Sequence, residues 1–184
     1  MKQLRNIMLA VAVLGAVTLV VIPNATGAIT SGPHDLRSRL GIDQICVPCH
    51  EPHNAREGDS GPIWNHAVTD ETFMRNGEEV TISLKSKRCL GCHDGVTALG
   101  SYGPFAGDDP ITGGAAIGTE LTDDHPISVD YPVGGHGMND PTLPAVAKLI
   151  VDGKVECGSC HSTHSASLKV TMVGSALCLT CHAK

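Results

Sequence analysis

Four pentapeptides in the 184-residue sequence have the form Cys-x-x-Cys-His: Cys46-Val47-Pro48-Cys49-His50, Cys89-Leu90-Gly91-Cys92-His93, Cys157-Gly158-Ser159-Cys160-His161 and Cys178-Leu179-Thr180-Cys181-His182. Together they use all eight cysteines. Two thiols at this spacing can add to the two vinyl groups on one edge of a porphyrin, and the next residue can then bring its imidazole under the ring to hold the iron. The chemistry implied is covalent attachment of four c-type haems. Cys46, Cys49, Cys89, Cys92, Cys157, Cys160, Cys178 and Cys181 are the expected attachment points, with His50, His93, His161 and His182 as proximal ligands. Disulfides or zinc knuckles could use the same cysteines, but neither requires a His after every second Cys.

Six histidines remain: His34, His53, His66, His125, His136 and His164. Four of them share a duplicated plan. One half reads His34, then Cys46-x-x-Cys49-His50-x-x-His53, then Cys89-x-x-Cys92-His93. The other reads His125, then Cys157-x-x-Cys160-His161-x-x-His164, then Cys178-x-x-Cys181-His182. Unequal gaps make this a duplicated plan and not a tight solenoid. Two haems and two spare imidazoles per half balance without remainder, so His34, His53, His125 and His164 are the expected distal ligands.

His66 and His136 have no counterpart and stand in reserve, His66 first because of its Trp64-Asn65-His66 setting. His53 and His164 lie three residues after a proximal His. An axial pair must approach the iron from opposite faces, so each should serve a haem other than its neighbour. Met74, Met138 and Met172 are expected to pack and not to ligate.

The elements that must position these groups are sparse. The stretch from Gly100 to Asp140 is dense in Gly, Pro and Asp and reads as loop. Short helical turns should carry the motifs, with Asp43, Ser86 and Ser175 as N-caps. Residues 149–156 resemble a hairpin about Asp152-Gly153, against a short helix from Pro144 to Gly153. Val80 to Leu84 is a candidate isolated strand. Only one Trp, two Tyr and two Phe are present, too few for an ordinary core of this size. The expected fold is mostly irregular, with short helices at the motifs, a few short strands and a core built around four haems. Without haem the chain should be largely unfolded.

Residues 1–28 read as a secretory signal: Lys2 and Arg5, an apolar run from Ile7 to Ile22, and small residues Thr26-Gly27-Ala28 before cleavage. The apolar run is shorter than the ~20 residues that span a membrane, so no stable anchor is expected after cleavage. Residues 29–184 then form the tetrahaem domain, with halves at about 29–110 and 111–184. The leader holds two of 13 basic residues and none of 19 acidic ones, so the exported part is formally −8. That charge disfavours nucleic acid as a partner.

The sequence resembles multihaem c-type cytochromes with doubled CxxCH motifs. The carrying segments are Pro33-His34-Asp35-Leu36, Cys49-His50-Glu51-Pro52-His53, Pro62-Ile63-Trp64-Asn65, Cys89 to Gly95, Asp124-His125-Pro126-Ile127-Ser128 and Cys157 to His164. The resemblance implies the same distal ligands, with Thr163 departing from the Pro often found before the last His. Within that family, size and four-haem plan look similar to OmcE-type tetrahaem extracellular filament subunits. This implies electron transfer with low-potential bis-His haems, in the periplasm or outside the cell, in anaerobic or metal respiration. Partners would be other redox proteins or extracellular acceptors, or further copies of the chain in a filament, with His34 as the candidate ligand donated to a neighbour. The alternative is a multihaem reductase with one open iron. Six spare histidines for four distal positions give no reason for an open site, so an enzyme is not expected.

Overall fold

The computed structural model describes residues 29–30, 32–53, 55, 63–135, 137–165 and 168–183. The expected leader, 1–28, and His136 lie outside the described residues. Regular structure is scarce: five short α-helices, two two-stranded antiparallel sheets and isolated bridges among the described residues.

The longest helix, α2 (Leu84–His93), carries the second motif; α1 (Arg37–Leu40) precedes the first. The sequence around α2, Leu-Lys-Ser-Lys-Arg-Cys-Leu, contains good helix formers and no interior Pro. Its N-cap is Ser83, not Ser86. Ser86 sits inside the first turn, where its hydroxyl reaches a buried carboxylate, Glu156 Oε2, at 2.5 Å. The helix ends at Asp94, whose Oδ1 accepts the N–H groups of Val96 (2.9 Å) and Thr97 (2.7 Å). Burial pushes the Asp94 carboxyl up, but hydrogen bonds from Thr69, Thr97 and the Val96 and Thr97 amides outweigh it and hold it below the usual carboxylate range.

Strands β1 (Phe73–Arg75) and β2 (Glu78–Val80) form a hairpin in the register Phe73↔Val80. Asn76 and Gly77 make its two-residue turn at φ 54° and 80°, the two positive angles that favour Asn-Gly there. The expected strand from Val80 to Leu84 is therefore displaced: strand ends at Val80 and helix begins at Leu84. Phe73, Ile82, Leu90 and Leu121 form a small apolar cluster, with Val80 and Ile127 against it. It pins the sheet to α2.

Both readings of the later segment hold in part. Helix α3 covers only Pro144–Ala147, with Pro at its start. Asp152 and Gly153 turn the chain at φ 52° and 77°. Strand β4 (Lys154–Val155) pairs with β3 (Val129–Asp130), far upstream, and meets its own leading arm at Val151↔Lys154 alone. Helices α4 (Cys157–Cys160) and α5 (Ala176–Cys181) carry the third and fourth motifs. Ser175 occupies the N-cap of α5 without a side-chain capping bond. Around the first motif the backbone makes only a turn, with the His50 N–H donating to Cys46 O at 2.8 Å, and Asp43 caps no helix. Helix α2, with the second motif, packs against α4, with the third.

Candidate haem sites

No disulfide joins any of the eight cysteines; all are free thiols, Cys46 and Cys178 exposed and the others half-buried. Their neighbours order the motifs in space. Burial, reinforced by Cys49, pushes the Cys92 thiol up to about 12. The Cys89 thiol is raised by a hydrogen bond with Cys157 and then by burial. The Cys160 thiol is raised by burial and then by Cys181 and Cys178. Consecutive motifs thus lie near one another: first with second, second with third, third with fourth.

The imidazoles fall into pairs from distant parts of the chain. The ring centroids of His34 and His93 lie 6.2 Å apart, those of His50 and His164 5.9 Å, and those of His125 and His182 6.3 Å. Two imidazoles sharing one metal, with bonds of about 2 Å and ring centres about 1.1 Å beyond each nitrogen, have centres about 6.2 Å apart. Ring protonation fits as well. His93 Nδ1 donates to Ala115 O at 2.6 Å and His125 Nδ1 to Pro126 O at 3.1 Å, which leaves each Nε2 with its lone pair free for a metal. Burial, then the imidazoles of His93, His161 and His164, lower the His34 pKa and favour its neutral, ligating form. The residues present therefore fit haem iron.

His66 is different. It is 1% exposed, with Nδ1 2.9 Å from Ala67 O and Nε2 3.1 Å from Leu99 O. Both ring nitrogens face backbone oxygens, and Nε2 also lies 3.4 Å from Cys92 Sγ. In this position the ring braces the second motif. His53 is exposed, its N–H donating to Glu51 Oε1 at 3.2 Å. His136 lies outside the described residues. The imidazole beside His34 is His93 of the same chain.

A feature not read from the sequence holds three motifs in the same way. A backbone N–H donates to the carbonyl of the motif's second Cys: Asn65 to Cys49 O at 3.0 Å, Asn139 to Cys181 O at 2.8 Å and Lys169 to Cys160 O at 2.9 Å. The residue before each donor bridges the proximal His, as Trp64↔His50, Met138↔His182 and Leu168↔His161. In two cases the Asn side chain adds a second clamp, Asn65 Nδ2 to Val47 O (2.6 Å) and Asn139 Nδ2 to Leu179 O (3.0 Å). Tyr131 braces the fourth motif further, its hydroxyl donating to Asn139 O or Cys181 O. The donors lie at unrelated sequence distances from their motifs, and one is Lys169 rather than Asn, so no sequence pattern marks them. Trp64 Nε1, beside the His50 ring, is buried with no hydrogen-bond partner among the described residues.

The family model described as doubled CXXCH motif matches residues 150–184. That stretch is similar to the doubled CXXCH segments of multihaem c-type cytochromes. It contains the third and fourth motifs of the doubled CXXCH pattern, while the first and second lie upstream of it. No curated protein matches the chain. Among the described residues no helix is long and apolar enough to cross a membrane.

Proposed function

We propose that the chain is an exported electron carrier with four c-type haems, each iron held between two imidazoles. The observation that carries this reading is the spacing of three His pairs at 5.9–6.3 Å between ring centroids. On this reading His34 faces His93, His164 faces His50 and His125 faces His182. His53 and His161 are left for each other. The first and third motifs then exchange distal ligands, which satisfies the requirement that each x-x-His serve a haem other than its neighbour.

When bound, the haems supply one-electron oxidation and reduction. The chain's own residues fix the rest. The backbone clamps at Cys49, Cys160 and Cys181 set the height of each proximal ring. The Nδ1–H bonds of His93 and His125 fix tautomer and orientation. Contact between consecutive motifs brings neighbouring sites close enough for short-range hopping. With both axial positions filled, no iron is open to substrate, which favours conduction over a reductase. Bis-imidazole ligation also favours low potentials relative to Met/His sites.

Protein-film voltammetry of the purified protein is the test. Four reversible one-electron waves at low potential, with no catalytic current on adding nitrite or sulfite and no spectral change with cyanide, are expected. A catalytic current, or cyanide binding to the resting protein, would replace this reading by the reductase. The carrier works in the periplasm or outside the cell, passing electrons to redox proteins or extracellular acceptors. Assembly into a filament is read by electron microscopy of secreted material: haem-containing fibres support it, and monodisperse particles count against it.

A further inference from the structure

Glu156 is 3% exposed, yet carries a carboxylate. Three serine hydroxyls converge on it: Ser83 Oγ donates to Oε1 at 2.8 Å, while Ser86 Oγ (2.5 Å) and Ser128 Oγ (3.0 Å) donate to Oε2. Two of these hydroxyls are oriented from behind. Ser86 Oγ accepts the Cys157 N–H at 3.2 Å, and Ser128 Oγ accepts the Ser83 N–H at 3.0 Å, so their protons are free to point at Glu156. The Ser159 backbone N–H adds a fourth donor through a capping box at the start of α4, and four donors meeting an acceptor-only group is the arrangement of an ionised carboxylate. Among the described residues no basic side chain forms an ion pair with it.

The location is specific. Glu156 immediately precedes Cys157, and Ser83 and Ser86 lie on the turn of α2 before Cys89. Helix α2 packs against α4 and the Cys157 N–H donates to Ser86 Oγ, so the carboxylate stands where the second and third attachment points meet. Ser128 adds the segment that carries His125. A purely mechanical strut could be built from Gln at no cost in desolvating a charge. A buried, unpaired negative charge also acts on any redox centre beside it, because reduction adds an electron in its field.

We propose that Glu156 is a positioning and tuning residue that lowers the reduction potentials of the haems on the second and third motifs. The inference rests on the four-haem reading above. Its charge stabilises each ferric iron over the ferrous one, and the serine hydroxyls hold that charge at low dielectric without neutralising it.

The test is potentiometric titration of Glu156→Gln, with haem content and spin state measured alongside. Two of the four midpoints should move toward reduction by on the order of tenfold in equilibrium constant, which is ~59 mV for a one-electron couple. The other two should move less. Ser128→Ala removes one of the donors that favour the ionised carboxylate, so the charge is held less well and the same midpoints should rise. A four-haem, low-spin Glu156→Gln protein with unmoved midpoints overturns the proposal. Should Glu156→Gln fail to accumulate, Ser128→Ala decides: a rise supports the assignment, and unmoved or lowered midpoints overturn it. Parent protein lacking covalent haem would instead sink the four-haem reading itself.

Discussion

Gly91 offers a sharp test of how the second motif is held. It is buried in α2, and a Cβ built on it would lie 2.3 Å from Ala67 O, 3.4 Å from Ala67 C and 3.6 Å from His66 Nδ1. The obstacle at 2.3 Å is backbone, and it is tied down. Ala67 N donates to Ser101 O at 2.7 Å, and His66 Nδ1 reaches Ala67 O at 2.9 Å. Relief to an ordinary carbon–oxygen contact needs a retreat of about 1 Å, given optimal separations of about 3.5 Å. Overpacking of this kind costs about 1–3 kcal/mol, and each hydrogen bond lost adds ~1 kcal/mol.

Against this, Ala regains about 1 kcal/mol of helix propensity. Gly91→Ala should therefore destabilise the haem-loaded protein by about 2 kcal/mol. Gly158, at the first position between the cysteines of the third motif, has nothing within 4 Å of its Cβ site. Gly158→Ala should be neutral or stabilising by up to about 1 kcal/mol. Guanidinium unfolding followed at the Soret band compares the two directly. Equal stability of the two variants would refute the reasoning.

Other consequences follow from the clamps and pairs. Asn139→Ala should cost about 1–3 kcal/mol, because two carbonyls of the fourth motif lose a donor; thermal melts of the haem-loaded protein measure it. His164→Ala should produce one high-spin ferric iron on the haem of the first motif, not on that of the adjacent third. Peptide mapping after labelling the opened site with a photoreactive isocyanide tells them apart, and label on the third motif would refute the exchange. Asp94 has a lowered folded pKa, so its contribution to stability is full above the ordinary carboxylate range and is lost as pH falls through the folded value. Asp94→Asn should flatten that acid limb, read from unfolding midpoints against pH. Chain expressed without haem attachment should lack near-ultraviolet dichroism, since its apolar cluster holds only four buried side chains.

The doubled CXXCH pattern was legible because Cys-x-x-Cys-His is a local constraint, and a sparse fold follows from Gly, Pro and few aromatics. Local turn chemistry was readable too, yet Asn76-Gly77 was passed over in favour of the β-branched run at Val80. Ser86 looked like a cap because it precedes Cys89 by one turn, whereas burial against Glu156 gives it another task. The partners of the imidazoles were not legible, since His50 and His164 meet through packing across both halves. Nor were Asn65 and Asn139, whose bonds run to backbone carbonyls that no side-chain pattern advertises.

The central claim is four covalent haems, each closed by two imidazoles. Intact mass of the purified protein together with its ferric electron paramagnetic resonance spectrum tests this most directly. Four haem masses on one chain and low-spin bis-imidazole signals alone are the expected result. Fewer than four haems, or a high-spin ferric signal in the resting protein, would contradict it.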